Sequence, residues 1–392
     1  MVEINNSRKS ERNIFLGNVI KFFSGRHSYV LATTAIVIWI IFTLLTEGLY
    51  LSPRNLWAVL VQFTLLGFVT TGMVILMIVR SIDLSVSAVM ILVVVIGSTL
   101  IVDYKLNPFL VIPLMLLICL LCAAWQGFFV AKIAIPAFIV TLAGMLYLRG
   151  IGYVLAGSTS HIGVGYFINS LTAESVPLTL SVTIIIILFL LITFFLLFNN
   201  FQAKKNNYPY KKLSEIIVEI IPIFLIFALF SYVSVTQGLP WLVLILVLFI
   251  LIYYIILHHT VFGRYVFAVG GNPIVAKLAG INVDRIIFLS FILMGFSYFF
   301  ASIGVMSRID GFSVALAPDI ELNAIAAAVI GGVNLFGGAG TISGAILGAF
   351  LLTSINNGMN LLNISSFYQD IARGLILLIA LFVNVYAKKR KK

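Results

Sequence analysis

The chain has 392 residues, of which 62% are hydrophobic and only 9% charged; that composition excludes a soluble globular domain and points to a polytopic membrane protein. The formal net charge of +11 would fit a nucleic-acid partner if the basic residues shared one face, but they are dispersed among short loops between apolar spans, so no nucleic acid is expected. Cys119 and Cys122 lie in one apolar span, where a C-x-x-C without a basic neighbour reads as packing rather than as a redox or zinc site.

In chain order, residues 1–28 form a polar, basic segment, and the apolar run after it lacks a small-residue cleavage site, so it reads as an uncleaved first helix. Apolar runs long enough to enter a bilayer stand at 29–46, 56–79, 84–102, 109–131, 136–156, 177–198, 220–236, 240–257, 286–306, 320–333, 341–358 and 367–387. The tenth is too short for a straight crossing and reads as re-entrant. The expected fold is an all-α polytopic membrane protein of about 10–12 transmembrane helices.

An even number of crossings puts both termini in the cytoplasm, and the charges test this. On that topology 19 of the 24 Lys and Arg are inside, among them Arg80, Lys132, Arg264, Lys277, Arg285 and the terminal KKRKK, while Arg54, Lys105 and Arg308 are outside. Residues 199–219 form a basic cytoplasmic linker between a first half, 29–198, and a second, 220–387; residues 388–392 are a basic tail. A basic loop facing anionic lipid heads accounts for the linker. Ile82-Asp83-Leu84-Ser85 opens the third run and Ile320-Glu321-Leu322-Asn323 the tenth, which the topology places at the inner and outer ends respectively. That is the pattern of an inverted repeat of two halves.

A scan for G-x-x-x-x-G-K-[ST], H-E-x-x-H and G-x-S-x-G finds none, so no catalytic residue or metal ligand set is assigned and any nucleotide-driven step falls to a partner. Ionisable residues inside apolar spans cost roughly 2.5–3.5 kcal/mol each at a helix centre and need a reason to be there. Asp83 with Ser85, and Glu321 with Asn323, read either as helix-terminal caps or as parts of a water-filled path where a helix breaks. Gln126, Asn356 and Asn357 offer amides to the same path, with interhelical hydrogen bonds as the equal alternative. Arg149 and Arg373 pair with carboxylates or snorkel to the outer interface. Gly340, Gly344 and Gly348 recur at four-residue spacing, which reads as close helix packing rather than as a phosphate loop.

The loop 260–284 carries its own folding instructions. Asn272 is an N-cap, Pro273 sits at the first helical position, Ile274 to Ala279 continue the helix and Gly280 supplies the left-handed residue that ends it. So short a helix is not stable alone. Ile274 and Leu278 share one face and Lys277 another, which suits docking on a soluble partner; the plainer reading is a tight inter-helix loop.

The segments SIDLSVSA (81–88), IPAFIVTLAGMLYLRG (135–150), VGGNPIVAKLAGINV (269–283), ELNAIAAAVIGGVNLFGGAGTISGAILGA (321–349) and NNGMNLL (356–362) resemble, in this order, the integral membrane permeases of bacterial ABC importers for monosaccharides. Length and the extra basic loop look most like the D-xylose branch. The resemblance implies a multi-pass plasma-membrane subunit that binds no cofactor itself, works with a cytoplasmic ATPase carrying ATP and Mg, receives sugar from an extracytoplasmic binding protein, and forms a homodimer in the bilayer. It also implies that Gly271, Asn272, Pro273, Ile274, Ala276, Lys277, Leu278, Ala279 and Gly280 form the coupling contact with the ATPase. Two departures stand out: Arg80-Ser81 replace the family's usual Gly-Gly or Gly-Glu pair, and Ser87 replaces a common Gly. The rival readings are a cation-coupled secondary sugar transporter with ion sites at Asp83 and Glu321, and a membrane enzyme acting on lipid-linked substrates, against which the lack of a nucleophile or metal cluster weighs.

Overall fold

The computed structural model describes residues 27–157, 160–205, 224, 227–228, 230–312 and 320–389. Expectations for residues 1–26, most of the basic linker and the last residues of the tail lie outside these. Among the described residues the chain is almost entirely helical: α1 (His27–Leu45), α2 (Pro53–Ile78), α3 (Val86–Val102), α4 (Pro108–Ala131), α5 (Ala137–Ala156), α6 (Tyr166–Ala173), α7 (Leu178–Lys205), α8 (Trp241–His259), α9 (Val261–Gly271), α10 (Pro273–Leu278), α11 (Val283–Arg308), α12 (Ile320–Ile330), α13 (Ile342–Leu361) and α14 (Ser366–Lys389). Each apolar run read from the sequence coincides with one of these helices except the seventh, 220–236, whose described residues, 224, 227–228 and 230–236, are helical and whose others lie outside the described residues. Among the described residues six helices, α2, α4, α5, α8, α11 and α13, are long and apolar enough to cross a bilayer. The chain is an all-α polytopic membrane protein.

Helix α2 is the centre. It is apolar all round and almost wholly buried, the state expected of a helix surrounded by others. Small residues set its closest approach: a Cβ on Gly72 would lie 2.2 Å from Ser297 Oγ of α11. Helices α4 and α5 instead turn Leu117, Leu121, Phe128, Phe138 and Leu146 outward, an apolar surface suited to lipid rather than water.

The loops gather into two sets. At one end β1 (His161–Ile162) pairs antiparallel with β4 (Gly311–Phe312), β2 (Ser175–Val176) pairs with β3 (Leu239–Pro240), and His161 Nδ1 lies 3.3 Å from Asp103. At the other, Gly338 N–H donates to the Ile78 carbonyl at 2.9 Å and Arg80 reaches the Gly270 carbonyl at 2.7 Å. The second end also carries Lys277 and Arg285, so the expectation drawn from the charges would make it the inner one.

Helix α12 is a half-crossing. Its 11 residues rise about 16 Å, roughly half of an apolar core of about 30 Å. Its packing on α13 is set by glycine, since a Cβ on Gly344 would lie 2.2 Å from the Gly331 carbonyl oxygen and one on Gly348 2.1 Å from that of Ala327. Helix α7 continues to Lys205, into the stretch read as linker.

Candidate functional site

The site begins where α2 breaks. After Ile78 the chain turns at Arg80, whose φ is +65°, and residues 81–85 run back into the interior without helical structure. Ser81, Asp83 and Ser85 are buried. Irregular backbone at membrane depth is tolerated only when protein groups satisfy it. Here Ser81 N–H donates to the Leu76 carbonyl and Thr141 Oγ1 of α5 donates to the Ile82 carbonyl at 3.1 Å.

Asp83 receives three donors. Its Oδ1 accepts from Ser85 N–H at 2.8 Å and from Ser85 Oγ at 2.7 Å, and its Oδ2 accepts from the Tyr298 hydroxyl of α11. Gln126 of α4 donates to Ser85 Oγ at 2.7 Å, and its own Oε1 is buried without a partner among the described residues. Asp83, Ser85 and Gln126, singled out in the sequence, therefore form one buried cluster.

Glu321 joins this cluster from the second half. Its side chain accepts from Ser87 N–H at 3.2 Å and Ser87 Oγ at 3.1 Å, in the first turn of α3, whose N-cap Ser85 makes no side-chain cap bond. A carboxylate is favoured at a helix N-terminus, where backbone amides are free and the dipole is positive. Glu321 thus lies in the first turn of its own helix and also against the first turn of α3, a pairing the sequence did not offer. Arg149 completes the group: one guanidinium nitrogen donates to Ser87 Oγ at 3.1 Å.

Two expectations are corrected. The Ile82–Ser85 and Ile320–Asn323 motifs do not lie at opposite ends, because the non-helical return after Arg80 carries α3 inward until its first turn meets that of the half-crossing α12. Arg149 does not snorkel outward, since Ser87 offers it an acceptor inside. Arg373 pairs with Asp370 at 2.6 Å, one turn before it.

The remaining amides belong elsewhere. Asn357 exchanges two hydrogen bonds with Asn55 of α2, both at 2.9 Å, which locks α13 to α2 and leaves the neutral-solute role without support at that residue. Asn356 keeps a buried Oδ1 with no partner among the described residues. Asn323 is half-buried on α12, and among the described residues no hydrogen bond joins it to the cluster.

At the end of the bundle where Arg80 meets Gly270, α10 is built as its sequence dictates. Asn272 Oδ1 accepts from the N–H groups of Ile274 at 3.0 Å and Val275 at 3.2 Å. At the other end Gly280, with φ +83°, donates to the Lys277 carbonyl and Ile281 N–H donates to the Ala276 carbonyl, each at 3.0 Å. These are the paired bonds of a Schellman C-cap. Ala276 is the buried foot, while Ile274 is 73% and Leu278 84% exposed, and Lys277 is exposed as well. Gly271, Pro273 and Ala279 complete the turn. The sequence missed α9, an 11-residue helix leading into it.

Tyr298, Ser87 and Arg80 were not singled out as partners by sequence reasoning. Hydroxyls in apolar runs are common and give no signal alone, whereas the positive φ at Arg80 was foreshadowed by the glycine usual at that position in the resembling family.

A half-crossing set against a non-helical return, buried carboxylates at helix starts and an exposed capped helix between two crossings make up the candidate site of a polytopic membrane protein. The family model described as branched-chain amino acid transport system / permease component matches residues 162–381. The xylose transport system permease protein XylH of Escherichia coli (strain K12) is 35% identical over 94% of this chain and 95% of its own length. XylH of Haemophilus influenzae is 32% identical over 92% of this chain and 97% of its own, and the ribose import permease protein RbsC of that organism 30% over 91% and 93%. No solved structure matches. The chain belongs to this family of transport-system permease components.

Proposed function

We propose that the chain is the membrane-spanning permease subunit of an ATP-driven importer of a monosaccharide, with D-xylose the first candidate. The observation that carries this reading is the capped helix Pro273–Leu278, which holds Ile274, Val275 and Leu278 in solvent at one end of the bundle, where nothing among the described residues covers them. A separate cytoplasmic ATPase, carrying ATP and Mg, is the partner that would bury them. The names of the relatives, XylH and RbsC, support a pentose as cargo.

In this reading transport proceeds by alternating access. Closure of the ATPases pushes on α10, and α8, α9 and α11 tilt with it. An extracytoplasmic binding protein delivers sugar at the opposite end, and two copies of the permease enclose the path. Both termini are cytoplasmic. Asp83 and Glu321 hold the buried starts of α3 and α12 rather than carry a coupling ion, since Ser85, Tyr298 and Ser87 supply donors to them.

The test is uptake of labelled D-xylose into vesicles containing the permease, the ATPase and the binding protein, with ATP inside. Uptake that depends on all three supports the importer. Uptake that persists without the ATPase would establish the cation-coupled alternative.

A further inference from the structure

We propose that Arg80 is the clasp that passes movement of the capped helix α10 to the buried carboxylate cluster; the inference rests on the ATPase-docking reading of α10. The Arg80 guanidinium donates through Nε to the Gly270 carbonyl at 2.7 Å and through a terminal nitrogen to the Gly271 carbonyl at 2.5 Å. Those carbonyls end α9 and directly precede Asn272 and Pro273. They are acceptors that no intrahelical amide reaches, at the negative end of a helix dipole, so a cation there meets both needs. A guanidinium bridges two acceptors in fixed geometry, which a flexible ammonium does not.

Three chain ends meet at this point. A Cβ on Gly270 would lie 1.8 Å from the Ile78 carbonyl oxygen and 2.7 Å from Gly338 N, so the end of α9 rests backbone on backbone against the end of α2 and the loop after α12. A Cβ on Gly337 would lie 2.3 Å from Arg80 Cγ, and Gly338 N–H is bonded to the Ile78 carbonyl.

From this junction two arms lead to the cluster. One is the return 81–85 that carries Asp83 and Ser85. The other is the loop 331–341 and α12, which carries Glu321. Close-packed backbone transmits displacement because it has no side chains to compress. Arg80 adopts a left-handed conformation that L-residues avoid, and the bonds to Gly270 and Gly271 hold it there.

The test uses the permease co-purified with its ATPase and reconstituted with the binding protein, reading sugar uptake and phosphate release in the same vesicles. Arg80→Gly and Arg80→Asn both accept positive φ and neither reaches the carbonyls. Both should keep the wild-type unfolding midpoint and the bound ATPase, while sugar moved per ATP hydrolysed falls about fivefold or more, the lower end of typical coupling between sites. Arg80→Lys, able to reach one carbonyl, should recover part of that ratio.

A wild-type ratio in either of the first two variants would overturn the clasp. So would loss of the ATPase or a lowered midpoint in both, which would make the contact structural. Failure of the wild-type chain to retain the ATPase in the same preparation would overturn the importer reading, and with it the role of the clasp in coupling.

Discussion

Glu321 accepts a hydrogen bond from the backbone amide of Ser87, 234 residues earlier in the chain, at 3.2 Å. The bond satisfies an amide in the first turn of α3 with a side chain from the first turn of α12, so the two helices are tied at their starts. Replacing Glu321 by Gln keeps an acceptor and should cost about 1 kcal/mol or less, whereas Glu321→Ala leaves Ser87 N–H unsatisfied in the interior and should cost about 1–3 kcal/mol. Thermal unfolding in detergent separates the two. Equal midpoints for Gln and Ala would show that the bond adds nothing.

Asp83 is the second carboxylate to probe. Asp83→Asn retains an oxygen for Ser85 N–H and offers an amide to the Tyr298 hydroxyl, which can accept as well as donate. Stability should fall by about 1 kcal/mol and uptake should remain near normal, because Asn serves well at helix ends. A large loss of uptake at normal expression would instead place Asp83 in the sugar path.

Gly280 tests the geometry of α10 by backbone conformation alone. Its φ is +83° and a Cβ there would meet nothing within 4 Å, so Gly280→Val acts only by opposing the left-handed turn, at a cost of at least about 1 kcal/mol. Gly48, with φ +89° and equally open surroundings, is a matched control just before the start of α2, whose other end meets Gly270. Gly280→Val should weaken ATPase co-purification and uptake, and Gly48→Val should leave co-purification unchanged. Equal retention by both would make α10 an ordinary loop.

Most of the fold is legible because the crossings are long apolar runs separated by short polar segments. The cap at Asn272 and the stop at Gly280 are legible because all their partners lie within a few residues. The buried cluster is not, since Gln126 meets Ser85 across 41 residues and Tyr298 meets Asp83 across 215, and no local pattern encodes such pairings. Helix α9 was hidden by Gly263, Gly270 and Gly271, which lower helix propensity. At Gly270 the glycine serves an approach to Ile78 that only the tertiary structure reveals.

The central claim is that the exposed face of α10 receives an ATPase, and Leu278 is the residue that tests it most directly. At 84% exposure it contributes little to the fold of the isolated chain, so Leu278→Asp should leave the unfolding midpoint unchanged. Burial of a leucine against a partner is worth about 1.5–3 kcal/mol, so the same substitution should weaken ATPase binding at least about tenfold. The measurement is the amount of ATPase retained on immobilised permease, wild type against Leu278→Asp, across a range of ATPase concentrations. Weakened retention with an unchanged midpoint is the predicted result; identical binding curves would contradict the claim.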